Sequence, residues 1–268
     1  MRFISSFLAR CSWPLRLCLA SLCLLLLPGQ RAWAQVPAAD SSLVAAAMSS
    51  LGQHYARGLG EESRLYSGPE YVNYLRRDTK GHQFFGTEEA QPATIDYAGT
   101  TYPNVPLRYD LVRGQLVLRA RLVGLELSLV NDNVTRFQLG SHSFIRLVAD
   151  SAGSSPVHTG YYELLVDGPV RVLGAYAKQY EERATPIGLE SEVRAKKDEY
   201  FVYQAGHYTR ITKAGTLLDL FPQDKAALRK FSKANKLKFK GDRRGAAIAA
   251  LVRYQASLAL PAPAGPAR

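Results

Sequence analysis

The chain reads as a mainly β protein of the α+β type: an antiparallel β-meander, built as a sandwich or an open barrel, with an N-terminal helix and C-terminal helices. Three observations carry this expectation. From Thr94 onward apolar residues recur at every second position, the period of a strand whose alternate side chains face opposite sides. Turn residues such as Arg113-Gly114, Asn131-Asp132-Asn133, Gly140-Ser141, Asp167-Gly168 and Ala205-Gly206 divide that stretch at intervals of roughly eight to twelve residues, typical of antiparallel sandwiches and barrels. Helical spacing of apolar residues is confined to the two flanks.

Residues 1–34 read as a signal peptide. Arg2, Arg10 and Arg16 form a positive leader, Leu17 to Leu27 an apolar run, and Ala32-Trp33-Ala34 a small-residue cleavage site before Gln35. The run is shorter than the roughly 18 residues that span a bilayer and stops at Pro28-Gly29, so no transmembrane segment is expected in the mature chain. Cys11, Cys18 and Cys23 all lie inside this segment, and the leucines before Cys18 and Cys23 do not fit a lipidation site. A cysteine-free mature chain excludes disulfide scaffolds, cysteine nucleophiles and thiolate metal sites.

Leu43, Ala47, Leu51 and Tyr55 share one face of a predicted helix over 43–57. Gly, Pro and acidic residues make 58–92 the least regular part. Strands are then expected through 116–123, 125–129, 134–139, 144–148, 161–166, 170–176, 200–204 and 207–212. In the first of these Leu116, Leu118 and Leu122 form the buried face, with Arg119 and Arg121 on the solvent side. Asp150 to Thr159, rich in Ser and Gly, and Gln179 to Glu199, dense in charge, read as solvent-exposed loops. Helical spacing returns with Leu217, Leu218 and Phe221, then Leu228 and Phe231, and a last helix capped by Asp242 carries Ile248, Leu251 and Val252. Residues 35–260 are thus expected to form a single β-rich domain whose basic helical part covers about 215–260, and 261–268, rich in Pro and Ala, a disordered tail.

The formal net charge is +11, and outside the signal its excess is concentrated near the C-terminus. Lys225, Arg229, Lys230, Lys233, Lys236, Lys238, Lys240, Arg243 and Arg244 form a candidate basic surface, opposed there only by Asp224 and Asp242. An exported protein rarely meets nucleic acid, so an anionic lipid surface or an acidic envelope polymer is the expected partner.

Catalytic and metal signatures are sparse. His54, His82, His142, His158 and His207 are far apart and no cofactor is expected. Ser141-His142-Ser143 lacks a nucleophile elbow, and the strand period sends His142 to the face opposite both serines. Glu61-Glu62, Glu88-Glu89 and Glu181-Glu182 are adjacent acids that point apart, unlike a glycosidase couple. Tyr66, Tyr71, Tyr74, Phe84, Phe85, Tyr97, Tyr102 and Tyr109 suit a core, or stacking on sugars or amphiphiles.

Two stretches carry a resemblance: Tyr97-Ala-Gly-Thr-Thr-Tyr-Pro-Asn-Val-Pro-Leu-Arg-Tyr-Asp110, and Lys225 to Leu258 with Leu-Arg-Lys-Phe-Ser-Lys-Ala-Asn-Lys-Leu. They resemble exported β-rich proteins of Bacteroidetes-type bacteria, a group with no assigned activity, which implies localisation and no site residue. The expected function is that of an exported, periplasmic or secreted cell-envelope protein, a non-catalytic binding module for an amphiphile, an envelope polymer or a protein partner. The alternative is an envelope glycan hydrolase. A carrier needs a dry apolar cavity, and a glycosidase a cleft with two carboxyls within roughly 10 Å. Mass spectrometry of protein from a bacterial envelope fraction is expected to find Gln35 as the first residue; an intact Met1, or a lipid on Cys23, would overturn the export reading.

Overall fold

Alternation of apolar and polar residues produces strands over most of the chain, and their backbone groups pair in order. The computed structural model describes residues 64–120, 124–149, 155–186 and 188–259, together with Ala47 and Ser50. These residues belong to one unit, Ala47–Arg268. The expected signal peptide, the tail, most of the first helix and Arg121 to Val123 lie outside the described residues.

The main sheet is antiparallel and mainly-β architecture dominates. It contains β1 (Gln91–Tyr97), β2 (Thr100–Asp110), β3 (Gln115–Arg119), β4 (Glu126–Ser128), β5 (Val134–Leu139), β6 (His142–Leu147), β7 (Gly160–Val166), β8 (Arg171–Ala175), β11 (Glu199–Gln204) and β12 (His207–Arg210). The ten strands run in the order β12-β11-β8-β7-β6-β5-β1-β2-β3-β4, so β4 and β12 are its edges and it does not close into a barrel. One step departs from a simple meander. After β4 a 3-10 turn at Asn131–Asn133 returns the chain beside β1, where Tyr97 pairs with Val134 and the Ala98 N–H donates to the Asn133 carbonyl at 2.7 Å.

The segment expected as a charged loop over 179–199 is instead a separate hairpin, β9 (Lys178–Thr185) and β10 (Gly188–Ala195), paired in full register. None of its residues joins a hydrophobic core; it is bonded instead to the Lys80 segment, whose N–H donates to Ser191 O at 2.9 Å and whose carbonyl accepts the Val193 N–H at 2.8 Å. Cross-strand neighbours such as Arg183 and Glu190 balance charge, and Arg194 pairs with Glu192 at 2.7 Å. The other expected loop is also anchored. Val157 is buried against Tyr162, Leu173 and Phe201.

Two cores share the sheet. The first gathers Ile95, Leu107, Leu118, Phe137 and Phe144 with Tyr97, Tyr109 and Tyr161, and the Phe137 and Phe144 rings stack at 4.7 Å. The aromatic segment from Tyr66 to Tyr109 is consequently spent mostly on packing, with Tyr71, Phe84, Tyr97 and Tyr109 buried. The second core forms where α1 (Ala214–Asp219), α2 (Lys225–Ala234) and α3 (Arg244–Ala259) meet Val172, Tyr200 and Val202, through Leu217, Leu228, Ile248 and Leu251. Asp242 does not cap α3. It sits within a 3-10 turn, Gly241–Arg243, that precedes the helix, and that turn has no side-chain cap.

The sequence pattern puts one face of β3 inward, but both are covered. Leu116 and Leu118 join the first core, while Val117 lies under Tyr71 and Phe84 on the other side. The covering strap is bonded to the sheet by Tyr71 N–H to Glu126 O (2.7 Å) and Phe85 N–H to Tyr109 O (2.8 Å). Asp110, wholly buried, fixes it. Its carboxylate accepts the Tyr71 hydroxyl at 2.9 Å, the Tyr74 hydroxyl at 3.0 Å and the backbone N–H groups of Val112 and Arg113 at 2.8 and 3.0 Å. Four donors offset the desolvation of a buried carboxylate.

Leu118→Asp and Val117→Asp are both expected to unfold the protein in a denaturant titration, because each places a charge at a site at most 1% exposed. Arg119→Ser, on an exposed side chain, should stay within about 0.5 kcal/mol of the parent. Parental stability in Val117→Asp would show that the strap leaves that face open.

Candidate functional site

The site begins with a charge taken into the interior. Arg244, the first residue of α3, is only 8% exposed. Its Nη1 donates to the Asp198 carbonyl at 3.3 Å and its Nη2 to the Ile211 carbonyl, and the guanidinium stands 5.2 Å from the Tyr200 ring centroid. Hydrogen bonds from a charged donor contribute about 1.5–3 kcal/mol each, so this side chain holds three separate chain segments together. Gly245 allows the approach. A Cβ there would meet Tyr200 Cε1 at 2.8 Å and its hydroxyl at 3.0 Å, closer than real side chains pack.

The three segments wall a cleft of about 800 Å³. The link from β10 to β11 contributes Lys196, Lys197 and Asp198, the link from β12 to α1 contributes Lys213, and the link from α2 to α3 contributes Lys238, Phe239, Lys240 and Asp242. Among the described residues none of these five lysines forms an ion pair. Asp198 is partly buried and accepts the Tyr200 hydroxyl at 3.1 Å. Burial pushes its carboxyl above the usual aspartate range, and the nearby Asp242 charge pushes the same way against Tyr200 and Arg244. Tyr200 is in turn pushed up to about 12, first by burial and then by Asp198.

The nine cations singled out in the sequence stand in different local settings. Lys238, Lys240 and Arg244 line the cleft. Lys225 is paired with Asp219 at 2.6 Å. Arg229, Lys230, Lys233, Lys236 and Arg243 are exposed to solvent outside the cleft lining. Sequence reading missed Lys196, Lys197, Asp198 and Lys213, which reach the site from the far end of the sheet. The Lys196-Lys197 doublet closing a charged stretch was the available signal, but only the fold brings it to α3.

A second polar group lies between the two cores. Glu163, 7% exposed, contacts His142 Nδ1 at 2.5 Å and accepts the Tyr176 hydroxyl at 2.5 Å, and Phe85 packs edge-on to the His142 ring. Burial and Glu163 raise the Tyr176 hydroxyl far above its ordinary range. Ser141 and Ser143 take no part in it. Tyr176 in turn neighbours Tyr200, so a polar seam runs from His142 to the cleft carboxylate Asp198.

Among the described residues no group of three or more His, Cys, Asp or Glu side chains is placed to hold a metal ion, and no helix is long and apolar enough to cross a membrane. Comparison with protein-family models, with curated proteins and with solved structures finds no match to this chain.

Proposed function

We propose that the protein is an exported, non-catalytic binding module of the cell envelope whose cleft takes an anionic ligand, a lipid head group or an acidic polymer. The observation that carries this reading is the convergence of Lys196, Lys197, Lys213, Lys238, Lys240 and Arg244 on one cleft against two carboxylates. Charges of one sign gathered around a concave wall act together on a ligand that enters it, whereas cations spread along a helix act singly and are screened beyond about 8 Å at physiological salt. Export rests on the N-terminal sequence and on the resemblance to exported bacterial proteins. Eight of the fourteen residues that line the cleft are charged, while Tyr200, Phe239 and the methylene stems of the lysines give it apolar surface, so a ligand with an anionic group and an apolar face suits it better than a wholly apolar one.

One observation favours a second reading, an envelope glycan hydrolase. Asp198 and Asp242 line the same cleft, and burial raises Asp198 as a general acid requires. Release of reducing ends from envelope glycan, abolished by Asp198→Asn, would establish it in place of binding.

Binding is tested with phosphatidylglycerol vesicles, phosphatidylcholine vesicles and dextran sulfate at low and high salt. The mature protein should prefer the anionic probes, and the preference should fade with salt. Vesicle binding alone points to a head group and dextran sulfate binding alone to a polymer. Each cation near an anionic surface contributes up to about 1 kcal/mol, so replacing Lys196, Lys197, Lys213, Lys238 and Lys240 with Gln should weaken binding by at least about tenfold. Replacing Arg229, Lys230 and Lys233 with Gln should cost much less. Equal losses, or no anionic preference, would overturn the assignment to the cleft.

The affinity for dextran sulfate, whose charge does not titrate, should also depend on pH. Asp198 binds its proton at a higher pH than an ordinary aspartate. Protonation removes a negative charge facing the anion, so affinity should rise as pH falls through the range just above the ordinary aspartate value. Asp198→Asn should flatten that rise; an unchanged pH profile in the variant would assign it to another group.

A further inference from the structure

We propose that the ligand of the cleft is an acidic saccharide, a sugar unit bearing a phosphate or carboxylate, with its anion held by the lysines and its hydroxyls by Asp242 and Asp198. This rests on the reading of the cleft as an anion site and names the class of molecule it selects.

Unpaired charges of both signs lead to it. Asp242 is exposed and lies beside Lys240, Arg243 and Arg244 in the chain, yet among the described residues it takes part in no ion pair or hydrogen bond. Asp198 receives the Tyr200 hydroxyl on Oδ2 only. Against a bare anion both carboxylates are repulsive, and they become favourable only when the ligand brings donors to them. A hydroxyl does so through a charge-assisted hydrogen bond. An ammonium would satisfy the carboxylates too, but it would enter a cleft already lined by six cations.

Size and surface agree with a sugar. The cleft holds about 800 Å³, within the roughly 300–1,000 Å³ of sites that take whole organic ligands and far more than a phosphate ion fills. Phe239, half-buried and packed against the second core, also lines the cleft, and the methylene stems of the lining lysines add apolar surface. The C–H face of a pyranose can rest there while its hydroxyls and acid group reach the charges.

The experiment is isothermal titration calorimetry of the mature protein at low salt with two matched pairs, glucose 6-phosphate against inorganic phosphate and glucuronate against acetate, with phosphoethanolamine as a zwitterion control. In at least one pair the sugar acid should bind at least about tenfold more tightly than its bare acid, and the pair that shows it names the acid. Asp242→Ala, at an exposed position without bonds, should melt like the parent. It should leave phosphate binding equal or stronger, since a repulsive charge is gone, while bringing the sugar preference down to within about twofold. Lys238→Gln with Lys240→Gln should weaken both members of the pair by similar factors. The proposal is overturned if neither pair shows a preference, if Asp242→Ala preserves it, or if phosphoethanolamine binds as tightly as the sugar phosphate. Anion binding without sugar preference would defeat this inference alone, whereas no binding of any anion would remove the anion site beneath it.

Discussion

A guanidinium taken nine-tenths out of water must find oxygen atoms in the protein, and Arg244 finds them in the backbone at Asp198 and Ile211. Backbone carbonyls rather than a carboxylate solvate this charge, so the positive potential is bonded but not neutralised. Everything in the cleft depends on that choice. The bonds tie the start of β11 and the end of β12 to the first residue of α3, and Gly245 lets the helix lie against Tyr200. The surrounding lysines tolerate one another because they face water. Two unit charges about 10 Å apart repel by only about 0.4 kcal/mol at the dielectric constant of water, a cost that a bound anion reverses.

The sheet gives that corner its rigidity. β7 serves both cores, with Tyr161 in the first and Leu165 against the second, and Glu163 lies between them on the same face. A carboxylate at such a boundary would be costly if left alone, and His142 and Tyr176 supply its partners. Asp110 performs the corresponding task at the far end of the first core, where it fastens the strap over β3. Asp110 and Glu163 each take hydroxyl partners from other parts of the chain, a use of buried polar groups that fixes position more than it adds stability.

Which parts were legible in the sequence follows from the same physics. Strands β5 to β8 and β11 are legible because each carries core-forming apolar residues between turn signals, β12 because it follows the Ala205-Gly206 turn, and the last two helices because their apolar residues recur at helical spacing. The hairpin of β9 and β10 is hard to read because none of its residues joins a hydrophobic core, so Tyr180, Ala184, Leu189 and Val193 are scattered among charges without a sustained apolar face. The cover over Val117 is not legible, because period-two reasoning sees one sheet face and cannot foresee a strap arriving from Tyr71 and Phe84. The basic segment was half informative. Lys238, Lys240 and Arg244 were visible as a cluster, but their counterparts Lys196, Lys197 and Lys213 lie tens of positions earlier in the chain, and only strand order brings them near.

If the cleft binds the proposed anion, selectivity turns on the two acids more than on the lysines. Positive charge alone attracts every anion and mainly raises encounter rates, with strong salt dependence and little discrimination. A cleft that was only cationic would therefore be a poor recognition device. Asp198 and Asp242 lower the affinity for anions that carry no donors, and a site discriminates as much by what it repels as by what it holds. Because Asp198 is already oriented by Tyr200, and Tyr200 by Arg244 and Gly245, that repulsive element stands on the most constrained part of the cleft. The same buried cation that gathers the walls thereby holds Tyr200 and Asp198 in place, and a ligand of the proposed kind would have to present its hydroxyls to that fixed carboxylate.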